Sequence, residues 1–172
     1  MGRAQQARDT GREEGGTTTT ADPRDRRATL LLGLALVALA TAARLVWVLA
    51  VPTVPTSDFA MYRESANHLS ELGWLDHGFI YMPGYVGLLA GVQSAGGDLL
   101  AQKLIGVAFG GIGAAGLFAL TLGLFAENGR RVAGVATFLY ALWPAGVAMS
   151  SVVGTDMPAA ALIAAALGAL AA

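Results

Sequence analysis

The sequence predicts an all-α, polytopic integral membrane protein, and three observations lead there. Of the 172 residues, 55% are apolar and only 13% are charged, whereas soluble domains carry about a quarter charged residues. The apolar residues are gathered in blocks close to the ~20 residues that a bilayer-crossing helix needs. More polar stretches separate the blocks, the mixed residues 52–83 and the tight link Glu127–Arg131 among them. The net charge of −1 gives no pull toward nucleic acid, and Arg24, Arg26 and Arg27 form only a small cluster beside the first apolar block. The chain has no cysteine, which excludes disulfides, thiolate metal sites and cysteine nucleophiles.

Residues 1–27 mix charge, Gly, Thr and Pro with almost no large apolar side chain. Such a segment buries too little surface to offset chain entropy, so a disordered cytoplasmic tail is expected. Residues 28–51, "ATLLLGLALVALATAARLVWVLAV", make the first membrane helix, ~36 Å long at ~1.5 Å per residue. Arg44 interrupts this run near its far end and is expected to snorkel to the headgroups. A cleaved signal peptide is the rival for this block, with Ala40-Thr41-Ala42 as the small-residue site. The apolar run resumes after Arg44, which favours an uncleaved anchor.

Residues 58–72 form a short amphipathic helix. Ser57 suits the N-cap, Asp58 the positive end of the helix dipole, and Gly73 the stop. Phe59, Tyr62, Ala66 and Leu69 fall on one stripe. Residues 84–97 are apolar but too short to span, so they are expected to lie at the interface. Residues 100–126 and 132–149 are two further membrane helices joined through Glu127–Arg131. A fourth, partial helix covers 157–172, with Pro158 tolerated in its first turn. Its shortness suggests the front part of a longer bundle. Tyr62, Tyr81, Tyr85, Trp47 and Trp74 fit an interfacial aromatic belt. His68 and His77 are not at metal-ligand spacing.

Arginines mark cytoplasmic ends. Arg24, Arg26 and Arg27 put the N-terminus inside, and Arg130 and Arg131 come inside only if 84–97 does not cross. Asp58 and Asp156 then emerge at the same outer face. Lys103, near that face, runs against the rule.

The order of motifs carries a resemblance. A membrane helix is followed by "SDxxxYxxxAxxL" (Ser57, Asp58, Tyr62, Ala66, Leu69) and by a "PGY" turn (Pro83, Gly84, Tyr85) opening a short apolar helix. Two helices around an arginine turn follow, and then "GTDMP" with Asp156. This arrangement, over roughly residues 28–172, resembles the N-terminal part of the GT-C membrane glycosyltransferases, in particular the protein-mannosyltransferase branch called glycosyltransferase family 39. Where that family often has "PPGYP", this chain has Met82 and Val86 at the flanking positions.

The resemblance implies an incomplete GT-C-type helical bundle with two juxtamembrane helices in its first outer loop. It implies transfer of a sugar, such as mannose, from a polyprenyl-phosphate carrier to a lipid, glycan or protein acceptor at the extracytoplasmic face of the cell membrane. Asp58 would be the catalytic base. Asp156, Tyr62 and Arg63 would contact the donor, and Asp156 would hold a divalent cation, Mg²⁺ or Mn²⁺. The basic residues that hold the carrier phosphate are expected later in such chains, so these 172 residues alone are expected to be inactive. The alternative from another class is a non-catalytic membrane scaffold or transporter-like component.

Overall fold

The computed structural model describes residues 23–75, 82–125 and 127–171. These form seven helices and, among the described residues, no strands: α1 (Pro23–Ala50), α2 (Asp58–Leu72), α3 (Pro83–Ser94), α4 (Leu99–Leu124), α5 (Gly129–Leu142), α6 (Pro144–Met149) and α7 (Asp156–Ala171). Two of them, α1 and α4, are long and apolar enough to cross a membrane. The expected tail lies outside the described residues as far as residue 22. From Pro23 to Arg27 the chain is helical instead, because a proline fits the first helical position and Asp25 complements the dipole in the first turn.

Helix α4 is the axis of the bundle, with α1, α5 and α7 packed around it. Helix α1 buries Gly33, Leu36, Ala40, Arg44 and Val48, a stripe at helical spacing. It runs antiparallel to α4: Gly33 lies against Phe118, Arg44 against Gly110, and the Thr53 carbonyl accepts from Lys103. Helix α5 returns alongside α1, with Asp25 meeting Arg130 at one end and Arg44 meeting Tyr140 near the other. Helix α7 runs parallel to α4, and their backbones approach so closely at Gly116 and Ala165 that a Cβ on Gly116 would collide with the α7 main chain. Asp98 caps α4 by accepting from the Ala101 N–H at 2.9 Å.

Helices α2 and α3 pair with each other outside this bundle. Tyr62, Ala66, Tyr85, Val86, Leu89 and Ala90 share one core with Val153, against the start of α4 at Leu99 and Ile105. Helix α2 stops where Gly73 adopts φ 77° and donates its N–H to the Leu69 carbonyl. Tyr62 and Tyr85 are buried ring-edge to ring-face, with centroids 5.6 Å apart, so they are core residues and not part of an exposed aromatic belt. Tyr81 and His77 lie outside the described residues.

Two further expectations are corrected. The helix expected over 132–149 is two helices, because Trp143 is extended (φ −61°, ψ 114°) ahead of Pro144. Arg44 does not snorkel. It is 0% exposed, because its guanidinium turns inward onto main-chain carbonyls of α1 and α5.

Candidate functional site

One end of the bundle gathers the acids singled out by the sequence. Asp58 opens α2 and Asp156 opens α7, and both are exposed. The residues beside them tie the two helices together. The Phe59 ring packs on Gly154, where an added Cβ would stand 2.7 Å from it. The Tyr62 and Thr155 hydroxyls share a hydrogen bond of 3.2 Å. Thus the first turn of α2 rests on the 150–156 loop, and the two carboxylates are carried to one end of the molecule by residues at most four positions away.

Further polar ties fix that end. The Thr53 hydroxyl donates to the Ser151 carbonyl at 3.0 Å, and the Trp47 indole N–H donates to the Ser151 hydroxyl at 3.2 Å. Lys103 is buried, and its ammonium donates to the Thr53 carbonyl at 2.5 Å. Its side chain therefore braces the α1–α2 linker. Ser57 fills the N-cap position with φ 53° and no side-chain capping bond. A non-glycine residue in that region is strained, and the strain sits directly before Asp58.

Beside Asp156 lies a cavity of about 450 Å³. Its walls are the start of α3 from Met82 to Tyr85, Phe109 of α4, and the first turns of α7 through Leu162. The walls are apolar, and the Asp156 carboxylate and the Thr155 hydroxyl are the polar groups at its edge. The Tyr85 phenol in this wall is raised above its ordinary value of 10.0, chiefly by burial and then by the adjacent Tyr62. It stays protonated throughout the neutral range.

The other two donor-site candidates are placed differently. Tyr62 is buried with its hydroxyl engaged by Thr155, so it holds the site together from beneath. Arg63 turns to a separate recess, lined with Pro55, Ala60, Glu64 and Asn67. Asp156 alone remains at the edge of the apolar cavity. Among the described residues no three His, Asp or Glu side chains converge. Mg²⁺ binds through one or two carboxylates completed by water and substrate phosphates, so Asp156 fits as a single protein ligand of that kind.

Sequence reasoning missed Thr155 and Arg44. Thr155 had a signal, its place directly before Asp156 at a helix start. Arg44 had none that pointed to its partners. Its guanidinium donates to the carbonyls of Ala40 (3.0 Å), Ala141 (3.4 Å) and Tyr140 (3.4 Å) and lies 4.7 Å over the Tyr140 ring. Pro144 has no N–H to return to the Tyr140 carbonyl, and Arg44 supplies donors at the break. The α5–α6 break in turn leads into the loop that carries Thr155 and Asp156. No family model matches the chain, and no curated protein or solved structure matches it.

Proposed function

We propose that the chain is the N-terminal module of a multi-pass membrane glycosyltransferase of the GT-C kind. It uses a polyprenyl-phosphate sugar donor and an acceptor hydroxyl at the extracytoplasmic face, with the N-terminus in the cytoplasm. The observation that carries this reading is the seating of the Asp58 helix on the Asp156 loop through Tyr62 and Thr155.

The distribution of polarity supports a bilayer setting. Arg44, Gln102, Lys103 and Thr137 are buried, while Leu34, Val46, Leu139, Ile163 and Leu170 are each more than half exposed. A chain with polar groups inside and leucines outside matches a hydrocarbon solvent. Arg24, Arg26, Arg27, Arg130 and Arg131 lie at one end of the bundle, and Asp58, Asp98 and Asp156 lie at the other beside Arg63 and the buried Lys103; the excess of arginine at the first end is what the positive-inside rule asks of a cytoplasmic N-terminus.

In this mechanism Asp58 takes the proton from the acceptor hydroxyl as that oxygen attacks the anomeric carbon. The bond to the carrier phosphate breaks and the phosphate leaves with its negative charge. The apolar cavity beside Asp156 offers surface for the isoprenoid chain next to the phosphate. A divalent cation held by Asp156 would supply Lewis-acid stabilisation to that phosphate.

The test is sugar transfer from a labelled polyprenyl-phosphate sugar, in membranes carrying the gene product as encoded. Asp58→Asn removes the base while keeping size and polarity, and transfer is expected to fall by about 10²- to 10⁴-fold with unchanged membrane insertion. Equal turnover in that variant removes Asp58 from the mechanism. Should the wild type bind a polyprenyl phosphate without transferring sugar, the scaffold or transporter-like alternative takes its place.

A further inference from the structure

The opposite end of the bundle holds a second cavity, of about 510 Å³, between the start of α1, the end of α4 and the start of α5. Arg130, Arg131 and Asn128 bring donor side chains to it, the Thr29 hydroxyl is spent on the Asp25 carbonyl at 2.9 Å, and Leu122 and Phe125 form its apolar wall. Arg24, Arg26 and Arg27 lie within the first turns of α1, brought to this end by the 3.6 Å ion pair between Asp25 and Arg130. Arg130 and Arg131 line the cavity together with the carboxylates of Asp25 and Glu127, and the exposed Arg24, Arg26 and Arg27 add positive charge at the same end without lining it. A positive-inside signal alone needs only arginines near a membrane face. It needs neither a recess between helices nor an apolar wall within it.

We propose that this cavity binds the headgroup of an anionic phospholipid, with the phosphodiester on Arg130 and Arg131 and the upper acyl chain against Leu122 and Phe125. Guanidiniums match phosphate oxygens in a fork geometry, and basic recesses between membrane helices select acidic headgroups. The cavity has room for a phosphodiester together with several waters of about 30 Å³ each. The apolar wall continues onto the outward surface of α4, where Leu124 is 65% exposed and Phe125 48%. That continuity distinguishes a lipid from a free phosphate ion, which gains nothing from it. Asp25 competes for Arg130, so the ion pair weakens the site and sets its affinity. The proposal rests on the bilayer setting and is independent of sugar transfer.

The experiment purifies the gene product as encoded in zwitterionic detergent and offers it phosphatidylglycerol and phosphatidylcholine with the same acyl chains. Retained lipid is counted by native mass spectrometry. Resistance of the protein to alkaline carbonate extraction from membranes reports the bilayer setting separately. Phosphatidylglycerol is expected to be retained in preference, and the Arg130→Gln/Arg131→Gln variant to lose that preference by about 30-fold, equivalent to about 2 kcal/mol for two arginines. Asp25→Asn keeps every arginine and is expected to raise retention, which provides the reading if the double variant fails to insert. Inorganic phosphate at millimolar concentration is expected to leave the lipid bound. Equal retention of the two lipids, an unchanged double variant, an Asp25→Asn variant that does not bind more tightly, or displacement by inorganic phosphate would each overturn the proposal.

Discussion

The Tyr62 hydroxyl meets the Thr155 hydroxyl at 3.2 Å across 93 positions of sequence. Tyr62 lies one helical turn after Asp58, and Thr155 directly precedes Asp156. A neutral hydrogen bond thus spans the two chain segments on which the proposed chemistry depends. Tyr62→Phe and Thr155→Val each remove one partner. A double-mutant cycle on unfolding in a mixed-micelle titration is expected to show a coupling of about 0.5–1.5 kcal/mol. Additive effects would mean that the two hydroxyls do not support each other.

Arg44 and Pro144 form a second pair with a measurable coupling. Arg44→Met removes the donors to the Tyr140 and Ala141 carbonyls and is expected to lower stability by about 2 kcal/mol. Pro144→Ala restores a peptide N–H where the helix breaks, and so makes part of the Arg44 role redundant. The loss caused by Arg44→Met should therefore be smaller in the Pro144→Ala background, by at least about 0.5 kcal/mol. Identical losses in both backgrounds would show that the arginine does not act through the break.

Orientation can be read with single cysteines, since the natural chain has none. Thr56→Cys, in the exposed linker before α2, should react with an impermeant thiol reagent added to intact cells. Asn128→Cys, in the exposed turn before α5, should react only after permeabilisation. Gly154 is unsuitable as a probe position because any side chain there meets Phe59. Reversed labelling would place Asp58 and Asp156 at the cytoplasmic face.

Tyr85 gives a pH signature. Burial and the neighbouring Tyr62 raise its phenol, so the native state keeps its proton at pH values where the unfolded chain has lost it. Stability from this source is fully present below the ordinary value of 10.0 and falls as the pH rises beyond it. Thermal unfolding between about pH 8 and pH 11 should show that fall, and Tyr85→Phe should flatten it. An equal slope in the variant would assign the alkaline sensitivity to other groups.

How much of this was legible in the sequence follows from what each element depends on. The bounds of α2 were readable because Asp58 and Gly73 mark a start and a stop through local backbone chemistry. Helix α4 was readable from a long apolar run, broken only by Gln102, Lys103 and Thr121, between Asp98 and the Glu127–Arg131 turn. The shared end of Asp58 and Asp156 came from arginine placement and segment length, and the hydrogen-bonded seating of α2 supports it. The break at Pro144 was hidden because hydropathy continues straight through it. The environment of Arg44 was hidden for a deeper reason. Its acceptors are main-chain carbonyls, which every residue possesses, so no side chain announces them. The different surroundings of Tyr62 and Arg63 follow from one step of 100° around a helix, which the order of motifs alone does not show.

The Arg44 contacts also bear on biogenesis. Its distant acceptors lie 96 and 97 positions further along the chain. Synthesis makes this guanidinium well before two of its three carbonyl acceptors, and until α5 follows only the Ala40 carbonyl on its own helix is there to accept from it. The pairing of α1 with α5 at this arginine is therefore closed late in the order of the chain.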